Sequence, residues 1–199
     1  MRRENAAHAA ALALMAVLAG CEGDAAPPAA ETTQVVDSIV PIPEEIRRFR
    51  ADVGPGPAAL AGAPTRDALV AEFVRAVEAA DTAALRALPL TGPEFIDLYY
   101  PFTRFVAKPY ELAPDLFWFQ IQNEQSRGLF RLLDRYAGQP LGSVGYRCEE
   151  PRVEGPNQVW DACVLRLLGA AGDTVSVRMF GTVLERDGAF RLVSLANDL

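Results

Sequence analysis

The stretch TVSVRMFGTVLE at residues 174–185 decides the fold class, because its apolar side chains recur at every second position. One face of this stretch carries apolar or small residues: Val175, Val177, Met179, Gly181 and Val183. A period of two is typical of a half-buried β-strand, whose successive side chains point to opposite faces. The RDG sequence at residues 186–188 is typical of a tight turn, so residues 190–195 are predicted to return as a neighbouring strand.

Two further strands are predicted upstream of this hairpin. Val144, Tyr146 and Cys148 alternate with polar or small residues, and residues 159–167 form another extended apolar stretch. Four successive strands joined by short turns predict an antiparallel sheet. Trp160, which lies close to Cys163 in the sequence, is expected to pack beside that cysteine rather than to recognise a ligand.

Helical signals fill the part of the chain before the strands. Thr65 is a predicted N-cap, and apolar residues follow it at helical spacing: Leu69, Val70, Phe73, Val74 and Val77. Asp81 is a predicted N-cap for a short helix through Leu88, and residues 91–94 match a capping box that opens a helix over residues 95–99. A longer helix is expected over residues 115–136, with a break near Asn123 and a stop at Gly138. Helices followed by strands predict an α+β fold.

The helix pair at residues 68–88, followed by four strands, resembles the NTF2-like (SnoaL-like, cystatin-type) fold over about residues 65–197. That resemblance implies N-terminal helices packed on a curved antiparallel sheet of about four strands, with a cone-shaped pocket on its concave side. The segment at residues 94–136 is longer than compact members of the family carry. The family includes isomerases, dehydratases and non-catalytic binding modules, and its enzymes often use an Asp–His pair.

The N-terminus resembles that of a bacterial lipoprotein. Arg2 and Arg3 precede a short apolar run that ends in the sequence LAGC at residues 18–21, which is similar to a lipobox. An ordinary secretory signal that happens to contain a cysteine is the alternative. The lipobox implies that residues 1–20 are a signal peptide and that Cys21 carries the lipid that holds the protein in the membrane. Glu22 favours the outer membrane, facing the periplasm.

The rest of the domain organisation follows from composition. Residues 21–34 are rich in Ala, Pro, Glu and Thr and are predicted to form a flexible tether. Residues 35–64 are expected to contain a short helix and a linker, and residues 65–199 a single domain. Within the first of these segments, a helix from Pro43 to Val53 carries three arginines at positions 47, 48 and 50. That helix is expected either to dock on an envelope protein or to pack on its own domain.

Composition limits the chemistry that the mature chain can perform. The single histidine, His8, lies in the predicted signal peptide, so histidine-based catalysis and histidine metal sites are not expected. Cys148 and Cys163 form an even pair in an oxidising compartment, which favours a disulfide over a redox site. The formal net charge of −7 disfavours a nucleic-acid partner. We expect neither a metal nor a cofactor.

One segment is unusually rich in aromatic residues. Residues 95–105, together with residues 117–119, offer a candidate pocket for a small apolar ligand. Its proposed members are Asp97, Tyr99, Tyr100, Arg104 and Trp118. The alternative is that these aromatic side chains are simply part of the core.

Three functions therefore stay open at this point. The composition favours a membrane-tethered, non-enzymatic lipoprotein that binds a small ligand or a protein in the cell envelope. The second hypothesis is an enzyme of the isomerase or dehydratase type, with Asp97 and Tyr99 or Tyr100 as its acid–base groups. The third is a structural subunit in envelope assembly that docks through the helix from Pro43 to Val53.

Overall fold

Helices occupy the first part of the chain and strands the last part, which confirms the predicted α+β class. The computed structural model describes residues 40–169 and 171–199, so the predicted signal peptide, Cys21 and the tether lie outside the described residues. The α-helices are α1 (Ile42–Val53), α2 (Arg66–Glu78), α3 (Thr82–Ala87), α4 (Gly92–Glu94) and α5 (Pro114–Tyr136). The strands are β1 (Ser143–Cys148), β2 (Arg152–Glu154), β3 (Asn157–Trp160), β4 (Cys163–Leu168), β5 (Thr174–Val177), β6 (Val183–Arg186) and β7 (Ala189–Leu192).

Side-chain caps fix the starts of three helices as the sequence predicts. The Thr65 hydroxyl accepts a hydrogen bond from the backbone N–H of Ala68 at 3.0 Å, and α2 begins at the next residue, Arg66. The Asp81 carboxylate accepts from the backbone N–H of Ala84 at 2.9 Å, at the start of α3. Thr91 and Glu94 form the predicted capping box of α4. These bonds satisfy donors that the first turn of a helix leaves without partners.

Three helical segments differ in detail from the sequence prediction. α1 begins at Ile42, with Pro41 as its N-cap. The segment Phe95–Tyr99 forms a π-helix that continues directly from α4, and short 3₁₀ turns follow it at Tyr100–Phe102 and Arg104–Val106. α5 runs through Asn123 without the expected break, and it ends before Gly138, which has the positive φ of 73° typical of a glycine after a helix.

The strands form two antiparallel sheets. One sheet has the order β1-β4-β5, and the other has the order β2-β3-β6-β7. The stretches at residues 159–167 and 174–185, each predicted as one strand, are not continuous strands in the structure. Each stretch contains the end of one strand and the start or body of another, and the two strands belong to different sheets. Helices packed on antiparallel sheets of three and four strands are consistent with the NTF2-like resemblance.

The break between β5 and β6 has a packing cause. Met179 and Phe180 are adjacent in sequence, and both are fully buried in the same core. A regular strand would send them to opposite faces, so the chain must leave the ladder to bury both. Backbone bonds at 3.2 Å from Gly181 N to Ser194 O and at 2.8 Å from Val193 N to Thr182 O keep the strand after the break paired with its neighbour.

The break between β3 and β4 has the same cause. Trp160 and Cys163 are three residues apart, and both belong to the main core. An odd spacing places two residues on opposite faces of a continuous strand. The exposed Asp161 and the partly buried Ala162 take up the change of direction between them.

Two hydrophobic clusters hold the helices on the sheets. The main core joins α2, α3 and α5 to both sheets, and the rings of Phe73 and Phe180 meet edge to face there at 5.1 Å. α5 approaches the last residues of the chain so closely at Gly128 that a β-carbon would collide with the carbonyl oxygen of Leu195. The second cluster joins α1, the π-helix and the first turns of α5 to β3 and β6.

The predicted disulfide is present. Cys148 and Cys163 lie directly opposite each other in the β1–β4 ladder, and their sulfurs are bonded. The bond joins the last residue of β1 to the first residue of β4. This end of the β1–β4 ladder lies next to the break between β3 and β4, so the disulfide crosslinks the three-stranded sheet where the chain enters it from the four-stranded sheet.

We expect loss of this disulfide to lower the free energy of unfolding by about 3 kcal/mol, because it closes a loop of about 15 residues in the unfolded chain. Urea unfolding of the oxidised protein, the reduced protein and the Cys148→Ser/Cys163→Ser variant measures this difference. The midpoint of the double variant should not respond to reductant. An unchanged midpoint in the unmutated protein after complete reduction would contradict the prediction.

Candidate binding site

The aromatic segment predicted as a pocket is packed as a second core. Phe95 lies at its centre, with ring centroids 5.0 Å from Trp118, 5.6 Å from Phe117 and 5.6 Å from Tyr100. The ring of Phe49 from α1 closes the cluster, 5.7 Å from Phe95. The structure thus matches the alternative interpretation, in which these side chains form core packing.

The two tyrosines of the predicted site are buried. The Tyr100 side chain is fully buried, and its hydroxyl donates a hydrogen bond at 2.7 Å to the backbone carbonyl of Leu112. Burial raises the pKa of Tyr100 to about 12. Burial, with a smaller contribution from the nearby Glu154 carboxylate, also raises the pKa of Tyr99. Such groups hold their protons more tightly than an ordinary tyrosine does, which suits packing better than proton transfer near neutral pH.

Asp97 binds other parts of its own domain. Its Oδ1 accepts a hydrogen bond from Arg50 Nε at 2.7 Å, and its Oδ2 accepts from the backbone N–H of Gly56 at 2.7 Å. A β-carbon at Gly56 would lie 2.6 Å from the carbonyl oxygen of Pro93 in α4. The chain at Gly56 therefore lies too close to α4 for a larger residue. Asp97 therefore fastens α1 and the segment after it to the π-helix.

Arg104 lies apart from the other predicted site residues. Its side chain is exposed, and its guanidinium carbon lies 5.1 Å above the ring of Phe105, its neighbour in sequence. The structure brings Tyr99, Tyr100 and Trp118 together around Phe95. Asp97 turns towards α1, and Arg104 faces solvent.

The apolar stripe of α1 packs on its own domain. Phe49 is buried, and Ile42, Ile46 and Val53 pack against the second core. The arginines of the helix are paired: Arg47 and Arg48 bind Glu44, and Arg50 binds Asp97. A partner that docks on this helix would meet the exposed side chains of Arg47 and Arg48.

A different site lies at the N-terminal end of α2. It is a surface cavity of about 450 Å³, within the roughly 300–1,000 Å³ of small-molecule sites. We call it the Arg66 cavity and define it by its lining residues: Thr65, Arg66, Asp67, Tyr146, Gln158, Trp160, Glu185 and Phe190. Helix α2 and strands from both sheets contribute to it.

Arg66 is held in place by the aromatic wall of this cavity. Its guanidinium carbon lies 4.7 Å from the Trp160 ring centroid and 5.5 Å from that of Tyr146. Its Nε also donates a hydrogen bond to the Tyr146 hydroxyl at 3.1 Å. The two cation–π contacts and the hydrogen bond together restrict the position of the guanidinium.

Tyr146 connects Arg66 to an acidic residue. Its hydroxyl accepts from Arg66 and donates to Oδ1 of Asp67. Burial, followed by the hydrogen bond to Asp67, raises the pKa of Tyr146. The hydroxyl therefore stays protonated at neutral pH and keeps the order Arg66–Tyr146–Asp67 intact.

The sequence interpretation missed this site. Trp160 does belong to the main core with Cys163, as expected, but it also forms the wall beneath Arg66. Arg66 and Tyr146 are 80 residues apart in the chain, so no local spacing connects them. The available signal was the Arg-Asp pair directly after the N-cap Thr65, which places two opposite charges in the first turn of α2.

Comparison of the chain with protein-family models, with curated proteins and with solved structures found no match. Within residues 40–169 and 171–199, no helix is both long and apolar enough to cross a membrane. The same residues contain no group of three or more His, Cys, Asp or Glu side chains placed to hold a metal ion.

We expect Asp97→Asn to lower the free energy of unfolding by about 1–2 kcal/mol, because it weakens hydrogen bonds that a charged carboxylate makes. Chemical denaturation measures the change. The matched control is Asp52→Asn at an exposed position of α1, which should stay within about 0.5 kcal/mol of the unmutated protein. Equal stability of the two variants would show that the Asp97 contacts contribute nothing.

Proposed function

We propose that this protein is a lipid-anchored, non-enzymatic binding module of the bacterial cell envelope, and that its ligand site is the Arg66 cavity. The observation that carries the binding role is the Arg66 guanidinium, whose central carbon lies 4.7 Å from the Trp160 ring centroid in a cavity of small-ligand size. An arginine whose position is restricted before a ligand arrives loses little freedom on binding. That arrangement suits recognition.

The anchor rests on the sequence alone. The lipobox-like ending at residues 18–21 supports lipidation of Cys21 and attachment to the outer membrane on its periplasmic side. The disulfide between Cys148 and Cys163 is compatible with an oxidising compartment. Lipidation with more than one acyl chain gives stable attachment, whereas a single chain binds membranes only marginally.

The geometry favours binding over the two alternative functions. An enzyme that used Asp97 with Tyr99 or Tyr100 would need a carboxylate free to exchange protons, but both Asp97 oxygens accept hydrogen bonds from Arg50 and Gly56. A structural assembly subunit that docks through α1 would have to bind a helix whose apolar stripe already packs on its own domain. That partner contact stays a prediction.

Cys21→Ser should abolish metabolic labelling with palmitate, because the thiol that carries the lipid is lost. Labelling in a bacterial host measures this effect. The Cys148→Ser/Cys163→Ser variant is the control, and it should keep its label. Palmitate labelling of the Cys21→Ser protein would contradict the proposed anchor.

A ligand of the Arg66 cavity should raise the melting temperature of the unmutated protein and leave that of Arg66→Ala unchanged. At a ligand concentration one hundred times Kd, binding stabilises the folded state by about 2.7 kcal/mol. A thermal-shift screen of water-soluble metabolites on the full-length lipoprotein in detergent tests this expectation. Arg75→Ala, at an exposed position of the same helix, should respond as the unmutated protein does. The proposed site is wrong if no metabolite shifts the unmutated protein or if Arg66→Ala shifts equally.

A further inference from the structure

We propose that the Arg66 cavity binds a small zwitterion, a molecule of the size of an amino acid or dipeptide that carries both a carboxylate and an ammonium group. This assignment rests on the proposed binding function and adds the chemical class of the ligand. It follows from the charges that line the cavity, since side chains of both signs face the same space.

The carboxylate partner is Arg66. Its Nε bonds to Tyr146, while its two Nη groups donate no hydrogen bond to any residue that the structure describes. No carboxylate within residues 40–169 and 171–199 lies within 4.0 Å of this guanidinium. A planar guanidinium with two parallel donors matches a carboxylate in a bidentate arrangement. The Trp160 and Tyr146 rings lie against this guanidinium and restrict its position.

The helix that carries Arg66 also favours an anion here. The cavity is bounded by Thr65, Arg66 and Asp67, the N-cap and first two residues of α2. The first N–H groups of a helix have no partners within the helix, and its N-terminus carries a partial positive charge. A carboxylate beside Arg66 would therefore also lie near the favourable end of this helix.

The ammonium partners are Asp67 and Glu185. Oδ1 of Asp67 accepts from the Tyr146 hydroxyl, and Oε1 of Glu185 accepts from the backbone N–H of Gly188 at 2.8 Å. The second oxygen of each carboxylate makes no side-chain hydrogen bond with another residue in the described part of the chain. An ammonium group has three donors and no acceptor, so it complements these two oxygens.

A ligand of a single charge fits this lining less well. An anion without an ammonium would meet two carboxylates against one guanidinium, and like charges in a partly desolvated site repel. A cation without a carboxylate would be repelled by Arg66, whose guanidinium lies over the Trp160 ring. A zwitterion satisfies both sets of side chains.

The aromatic residues and Gln158 that line the cavity would contact the part of the ligand between or beside its two charged groups. The Trp160 and Phe190 rings lie 6.0 Å apart between centroids, and both line the cavity. Gln158 adds an amide that both donates and accepts hydrogen bonds. These groups suit an apolar or aromatic side chain with an amide or other polar group beside it, as in an amino acid or a dipeptide.

Isothermal titration of the full-length lipoprotein in detergent tests the assignment. The probes are the common L-amino acids and their dipeptides with alanine, and each ligand found is compared with its C-terminal amide and its N-acetyl derivative. These derivatives remove the carboxylate charge and the ammonium charge in turn. We expect each to bind about ten- to one-hundredfold more weakly than the parent, because each loses a charge-assisted hydrogen-bonded pair. This comparison uses the unmutated protein and does not depend on how a variant folds.

Two variants then locate the binding. Arg66→Gln should weaken the parent zwitterion at least tenfold but should leave the affinity of its amide nearly unchanged. Glu185→Gln should weaken the parent at least threefold but spare the N-acetyl derivative. Arg75→Gln and Glu72→Gln lie on α2 outside the Arg66 cavity and should bind the parent as the unmutated protein does.

Three results would overturn the assignment: binding of no zwitterion, equal binding of a parent and its derivatives, or binding that is unchanged in Arg66→Gln. If metabolites of another class raise the melting temperature in an Arg66-dependent manner, the binding function stands and the zwitterion assignment is wrong. If no metabolite of any class binds, the binding function itself is wrong.

Discussion

The consecutive burial of Met179 and Phe180 is the constraint from which the rest of the architecture follows. Two adjacent side chains can enter one core only where the chain leaves the regular strand geometry, because strand side chains alternate between faces. The extended stretch at residues 174–186 therefore ends one sheet with β5 and begins another with β6. The neighbouring stretch divides in the same way to bury both Trp160 and Cys163. Burial in one core thus accounts for the division of these stretches between the two sheets.

The division of the strands between two sheets also brings together the residues of the candidate site. The Arg66 cavity takes Tyr146 from the three-stranded sheet and Trp160, Glu185 and Phe190 from the four-stranded sheet. In a flat, continuous sheet, residues on the same face would form a surface rather than a concave wall. The helix α2 lies over the main core and brings Arg66 to the junction, where two rings can hold it. Fold and site therefore depend on the same packing requirement.

The sequence predicts the features that local rules govern. The caps at Thr65, Asp81 and Thr91, the disulfide and the α+β class each depend on signals within a few residues or on a simple count of cysteines. The strand breaks could not be predicted in this way. Met179 and Gly181 continue the period of two, and this pattern places Phe180 on the opposite face, although its side chain is buried in the same core as Met179. Aromatic richness near residue 95 indicates a core as readily as a pocket, and local sequence does not distinguish them. The Arg66 cavity draws on α2, β1, β3, β6 and β7, so only the tertiary structure assembles it.

The way in which Arg66 is held would allow the proposed shallow surface site to be specific. A free arginine side chain loses rotamer entropy on ordering, and that cost ordinarily weakens binding. Here the contacts with Trp160 and Tyr146 order the side chain when the protein folds, because Trp160 is anchored in the main core and Tyr146 is bonded to Asp67. If the Arg66 cavity binds a ligand as proposed, the residues that set its affinity would therefore include two aromatic side chains that position a charge. A hydrogen-bonded network of this kind also resists rearrangement, since moving the guanidinium would leave the Tyr146 hydroxyl without one of its partners. The position of the Arg66 guanidinium is in this sense a consequence of folding, and the proposed ligand would meet a group that is already in place.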